Sequence, residues 1–144
     1  MANKQDEKDA GPEQLDVVGL LHAFQALERN MSVALMYSGL RIPQFRLLNV
    51  LSQAGQATVT EMSEKLHITR ATASVMINEL ICSGALAVVE NPNDRRSFHV
   101  RITDAGRQKL NVARSDVSVF VEKISHRYSA ATVSVLNKFA GTTG

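Results

Sequence analysis

Cysteine occurs once in this 144-residue chain, tryptophan not at all and proline only three times. A lone Cys82 excludes an intrachain disulfide and a cysteine-rich metal knot. No apolar run approaches the roughly 20 residues of a membrane span. The N-terminal residues are polar and acidic, without the basic start and apolar middle of a signal peptide. A soluble, cytoplasmic chain with no membrane partner is therefore expected. Gly-rich phosphate loops and groupings of Ser, His and acid are also missing. The histidines, His22, His67, His99 and His126, stand far apart, with no short-range ligand pair. Hence no enzyme, catalytic residue, cofactor or metal site is expected. The net charge of +2 is too small to argue for any polyanionic partner from total charge alone, while 44% hydrophobic residues suffice for the core of one domain.

The distribution of charge says more than its sum. Arg95, Arg96, Arg101, Arg107, Lys109 and Arg114 face only Asp94 and Asp104 between Asn91 and Arg114. The N-terminal segment instead gathers Asp6, Glu7, Asp9, Glu13 and Asp16 against Lys4 and Lys8. A local basic stretch is the footprint expected of a DNA contact, although a solvated basic helix end has the same composition.

Residues 1–13, polar and carrying Gly11-Pro12, read as a disordered acidic tail. From Leu15 to about Ser38, Leu15, Val18, Leu21, Phe24, Leu27, Met31, Ala34 and Leu35 recur at threes and fours, which predicts a long amphipathic helix broken by Gly39. Pro43 suits the first turn of a second helix with Phe45, Leu47, Leu48, Val50 and Leu51 on its buried side, ended by Gly55. Thr58-Val59-Thr60-Glu61 is a capping box opening a short helix with Met62 and Leu66. His67-Ile68 makes a tight turn and Thr69 caps the next helix, which runs to about Ser83 before a Gly84 stop. Two short helices so joined form a helix-turn-helix.

In the second of these helices, Ala73, Met76, Ile77 and Leu80 form the core stripe, leaving Arg70, Ala71, Thr72, Ser74, Val75 and Asn78 mainly outside it. Small and polar residues near a helix N-terminus permit close approach to base edges, and Arg70 suits a phosphate or a guanine. Leu86-Ala87-Val88-Val89 follows, then Asn91-Pro92-Asn93-Asp94-Arg95-Arg96-Ser97, then Phe98-His99-Val100-Arg101-Ile102. This reads as strand, turn and strand, with Phe98, Val100 and Ile102 inward and His99 and Arg101 outward. Arg95 and Arg96 stand at the tip, where a narrow minor groove concentrates negative potential, and Asp94 holds an arginine or the turn backbone in place. Thr103 caps a long helix to about His126 with Leu110, Val117, Phe120, Val121 and Ile124. Ser129 opens a final one with Val133, Leu136 and Phe139. The terminal helices offer more apolar surface than one small domain covers, so a second copy of the chain is the expected partner.

The fold class expected is mainly α with a small β-hairpin wing, a winged helix-turn-helix flanked by N- and C-terminal dimerisation helices. Its divisions are a tail over 1–13, an N-terminal dimerisation helix over 14–40, a DNA-binding lobe over 41–104 and C-terminal dimerisation helices over 105–144.

Several segments together resemble the MarR family of bacterial transcriptional regulators, over Gln44 to Gly106. They are Gln44-Phe45-Arg46-Leu47-Leu48, Thr58 to Leu66, Leu80 followed by Gly84-Ala85-Leu86, and above all Asn91-Pro92-Asn93-Asp94-Arg95-Arg96 leading to Ile102-Thr103-Asp104-Ala105-Gly106. The resemblance implies a homodimer with intertwined terminal helices. Such dimers bind pseudo-palindromic double-stranded DNA, usually repress, and let go when a small ligand or an oxidant acts. It makes Arg96 the minor-groove arginine, Asp94 its wing-fixing partner, and Arg70, Ala71, Thr72, Ser74 and Val75 the base-facing stretch. Val75 stands where many relatives have arginine, so base readout is expected to lean on thymine methyls. Ile42 stands where a Ser or Thr cap is common.

For the trigger, the resemblance favours a small, anionic, aromatic effector between the dimer helices and the DNA-binding lobe. His22, Tyr37, Arg41 and Arg46 are the candidate lining. The alternative is a redox response through Cys82, although a cysteine at a helix end is commonly buried and inert. A rival of another class is a winged-helix module that binds protein and touches DNA poorly.

Overall fold

The computed structural model describes residues 16–90, 98–127, 129–130, 134 and 137–138. The acidic tail, the residues joining the two predicted wing strands, and Val133, Leu136 and Phe139 of the last predicted helix lie outside them. Of that last helix, Ala130, Ser134, Asn137 and Lys138 are described, and are helical.

Helix α1, Val17–Ala34, begins where Asp16 accepts from the backbone N–H groups of Val18 and Gly19 at 3.2 and 3.1 Å. The predicted single helix to Ser38 changes character before its end. Leu35–Ser38 tightens into a 3-10 turn, and Gly39 closes it at φ 68°, a conformation that glycine adopts without a steric cost. The buried Ser38 hydroxyl donates to the Leu35 carbonyl at 2.7 Å, fixing this corner.

Helix α2, Ile42–Ala54, places Leu47, Leu48 and Leu51 in the core. Its N-cap is Arg41, not Ile42, so the departure noted at Ile42 falls one residue late. A guanidinium only donates and cannot satisfy helix N–H groups, so the cap is one-sided: Gln44 Oε1 accepts from the Arg41 N–H at 3.1 Å. Strand β1, Gln56–Thr58, follows, then α3, Val59–Leu66, and α4, Arg70–Cys82. Strands β2, Leu86–Glu90, and β3, Phe98–Ile102, lead to α5, Asp104–Arg127.

The expected hairpin is in fact a three-stranded antiparallel sheet in the order β1-β3-β2. Ala57 stands opposite Val100 on one side of β3, and Val88 opposite Val100 on the other. Leu86, Val100 and Ile102 are buried, and with Leu35, Leu48, Met62, Ile77 and Leu110 they form one continuous core. Phe98 corrects the inward assignment: it shares the Val100 face but is 41% exposed, because it lies at the outer end of the β2–β3 ladder, opposite the exposed Glu90.

Close approach at one point joins the sheet to α5. The Thr103 hydroxyl donates to the Gly84 carbonyl at 2.6 Å and accepts from the Gly106 N–H at 3.0 Å. A Cβ on Gly106 would overlap the Ala85 carbonyl oxygen and lie 2.9 Å from Ile102 Cγ2. Thr103-Asp104-Ala105-Gly106 is therefore a cap and a contact in one motif. Higher up, Arg114 donates from Nε to Asn49 and from Nη2 to Ser52, both at 2.9 Å, tying α5 to α2. Among the described residues no helix is long and apolar enough to cross a membrane.

Candidate nucleic-acid interface

The turn between α3 and α4 is built by caps at both ends. Thr58 Oγ1 accepts from the Glu61 N–H at 3.2 Å, and the Glu61 carboxylate accepts from the Thr58 N–H at 2.7 Å. His67 ends α3 in the left-handed region at φ 54°, and Thr69 Oγ1 accepts from the Thr72 N–H at 3.1 Å to start α4. The Thr58 backbone N–H, reinforced by its hydroxyl, His99 and Lys65 and partly opposed by desolvation, lowers the Glu61 carboxyl below its ordinary pKa. A carboxyl lowered in the folded state stabilises the fold above its unfolded pKa, and that contribution disappears as pH falls through the folded value. Glu61→Gln is thus expected to cost about 0.5–1 kcal/mol at neutral pH, since the side chain is exposed and screened. The gap from wild type should narrow in acid. Urea melts at both pH values check this; a gap that widens in acid would contradict it.

Of the expected base-facing residues, Arg70, Ala71, Thr72, Val75 and Asn78 are exposed and Ser74 is half-buried. Ala73, Met76, Ile77 and Leu80 are buried, as their spacing predicts. At the α-helical turn of 100° per residue, Ala71, Val75, Asn78 and Cys82 fall along the line directly opposite that buried stripe. Cys82 is exposed rather than buried.

At the far side of the sheet, Glu90 pairs with Phe98 at the strand ends, and residues 91–97 connect them. Asp94, Arg95 and Arg96 lie in that connection, outside the described residues. Arg101 is exposed on β3. Arg114, counted in the basic stretch, is spent on Asn49 and Ser52 inside the fold.

The four effector candidates do not converge within one chain. His22 is exposed on α1, Tyr37 is 84% exposed in the 3-10 turn, and Arg46 is exposed on α2. Arg41 lines an open concavity of about 440 Å³ between the start of α2 and α4, with Pro43, Ala71, Val75 and Met76 among its walls. There its guanidinium is bound to the Glu79 carboxylate, which also accepts from Gln44 Nε2 at 3.1 Å. Sequence reasoning missed this cluster. Glu79 sits on a helix face with no local sign of a partner, and Arg41 is 38 residues away.

The MarR family's sequence profile matches residues 40–98, the segment from the 3-10 corner to the start of β3. Over that segment the chain is similar to the MarR family. The multiple antibiotic resistance protein MarR of Salmonella typhimurium is 32% identical over 63 residues, covering 44% of each chain. Across the curated relatives that it matches, the chain spans between 44% and 66% of their length. Among solved structures, the transcriptional repressor CouR bound to a 23-mer DNA duplex superposes with a TM-score of 0.80 at 23% identity, covering 87% of this chain and 89% of CouR. Apo MarR from E. coli gives 0.73 at 21% identity, covering 92% of this chain and 98% of that one. The mainly α winged helix-turn-helix fold is common to all three.

Proposed function

We propose that this protein is a member of the MarR family and a cytoplasmic, homodimeric, sequence-specific DNA-binding transcriptional regulator, a repressor that a small effector releases. The observation that carries the reading is α4. It is capped by Thr69, backed by a buried stripe, and presents Arg70, Ala71, Thr72, Val75 and Asn78 to solvent inside the segment that matches the family. That CouR has been solved on a DNA duplex supports major-groove entry by the corresponding helix here. Asp94, Arg95 and Arg96 are assigned to the wing, Arg96 to the minor groove.

Dimerisation is argued from what the chain leaves uncovered. No residue of α1 is buried, and Val17, Val18, Leu21, Phe24 and Leu27 are exposed along it, with Val119 and Val121 exposed on α5. Amphipathic helices with a bare apolar face bury it against something. Residues 14–40 and 105–144 are accordingly assigned to the dimer and 41–104 to the DNA-binding lobe. A two-fold pair of α4 helices then calls for an inverted repeat with half-sites about one helical turn apart. Phe24→Asp is expected to turn a sedimenting dimer into a monomer and to weaken DNA binding with it. A wild-type chain that already sediments as a monomer would remove this assignment.

For the effector, a small acid remains the proposed class, in a pocket completed by the second copy. Arg46 is exposed on α2 and has no ion-pair partner among the described residues, so it is the cation assigned to receive it. The exposed Cys82 thiol supports a second, oxidant-responsive reading of the same regulator; DNA binding unchanged by diamide would exclude it.

A further inference from the structure

The two flanks of α4 leave different chemistry free. On one, the side chains of Arg70 and Ser74, with that of Asn78 on the crest beside Ala71, have no hydrogen-bond partner among the described residues. On the other, the polar groups are engaged within the protein. The Thr72 hydroxyl lies 2.8 Å from that of Thr69, and the Glu79 carboxylate is held by Arg41 and Gln44. What remains on this second flank is a strip of methyl groups from Ala71, Thr72 and Val75, bordering the open concavity beside Pro43. Val75 is 59% exposed in mid-helix, where a β-branched side chain loses rotamer freedom and here covers no core. Arg41 at the edge of the concavity is ion-paired to Glu79.

A base pair shows one apolar group in the major groove, the C5-methyl of thymine. We infer that the Ala71-Thr72-Val75 strip reads thymine methyls, with Val75 the residue that sets the preference and the Arg41–Glu79–Gln44 cluster a positioning set. The cluster holds a carboxylate that would otherwise stand free beside the DNA. This rests on the proposal that α4 enters the major groove. Arg70 and Ser74 supply hydrogen bonds from the other flank and Asn78 from the crest beside Ala71, so methyls and hydrogen-bonding groups stand side by side on the outward face.

The test uses the full-length protein and duplexes that it selects from a randomised pool, remade with deoxyuridine for thymine at one position at a time. Each duplex is titrated with wild type and with Val75→Ala, whose melting temperature is checked first. At one or two positions per half-site, loss of the methyl should weaken wild type about three- to tenfold and leave Val75→Ala nearly unchanged. A defined site with no deoxyuridine effect anywhere overturns methyl reading while leaving DNA binding intact. Equal losses in both proteins overturn the role given to Val75. A pool that enriches no sequence overturns the DNA-binding proposal, and this inference with it.

Discussion

Gly106→Ala is expected to destabilise the protein by about 3 kcal/mol or more, the largest loss anticipated from any single methyl group. The added carbon would have to share space with the Ala85 carbonyl oxygen, a backbone atom that no side-chain rotation can move aside. That carbonyl is itself anchored, accepting from the Thr103 N–H and the Thr103 hydroxyl, both at 3.1 Å. Relief must come from shifting the start of α5 off the turn after α4, which breaks the Thr103 cap and opens the core around Ile102 and Leu110. Ala105 is exposed one residue earlier, so Ala105→Ser should leave stability within about 0.5 kcal/mol of wild type. Paired urea titrations would show the contrast. Equal midpoints for the two variants would mean that α5 does not dock as described.

Arg96→Ala should lower DNA affinity on the order of ten- to a hundredfold while leaving the melting temperature unchanged. Strand β2 ends at the exposed Glu90 and β3 begins at the exposed Phe98, and Arg96 lies between them in the sequence. A guanidinium in a narrow minor groove meets concentrated negative potential. The loss should be accompanied by a salt dependence shallower by about one ion. Unchanged affinity in a titration would move the minor-groove role away from Arg96.

Much of the fold was legible because its signals are local. Thr58, Thr69 and Thr103 cap helices within a few residues of themselves, and Gly39 and Gly84 mark turns by their own backbone freedom. What escaped depends on distant neighbours. Strand β1 is only Gln56–Thr58, too short to show alternation, and exists because β3 offers an edge some 40 residues later. The Arg41–Glu79 pair and the Arg114 contacts are likewise long-range, so neither partner set could be read from the local sequence. Periodicity identified the apolar stripe of α1 and its surplus of apolar surface, and in the fold α1 has no buried residue. At the candidate site, the buried stripe of α4 followed from spacing, whereas its division into a methyl flank and a donor flank needed the partners of Thr72 and Glu79.

The central claim, that α4 and the wing place this protein on specific DNA, is tested most directly by fluorescence-anisotropy titration against the DNA upstream of its own gene. A scrambled duplex serves as control, at two salt concentrations. Tight binding to the upstream DNA alone, weakening steeply as salt rises through counterion release, is the result expected. Binding equal to the scrambled control at both salts would contradict the claim and favour a winged-helix module that recognises protein instead.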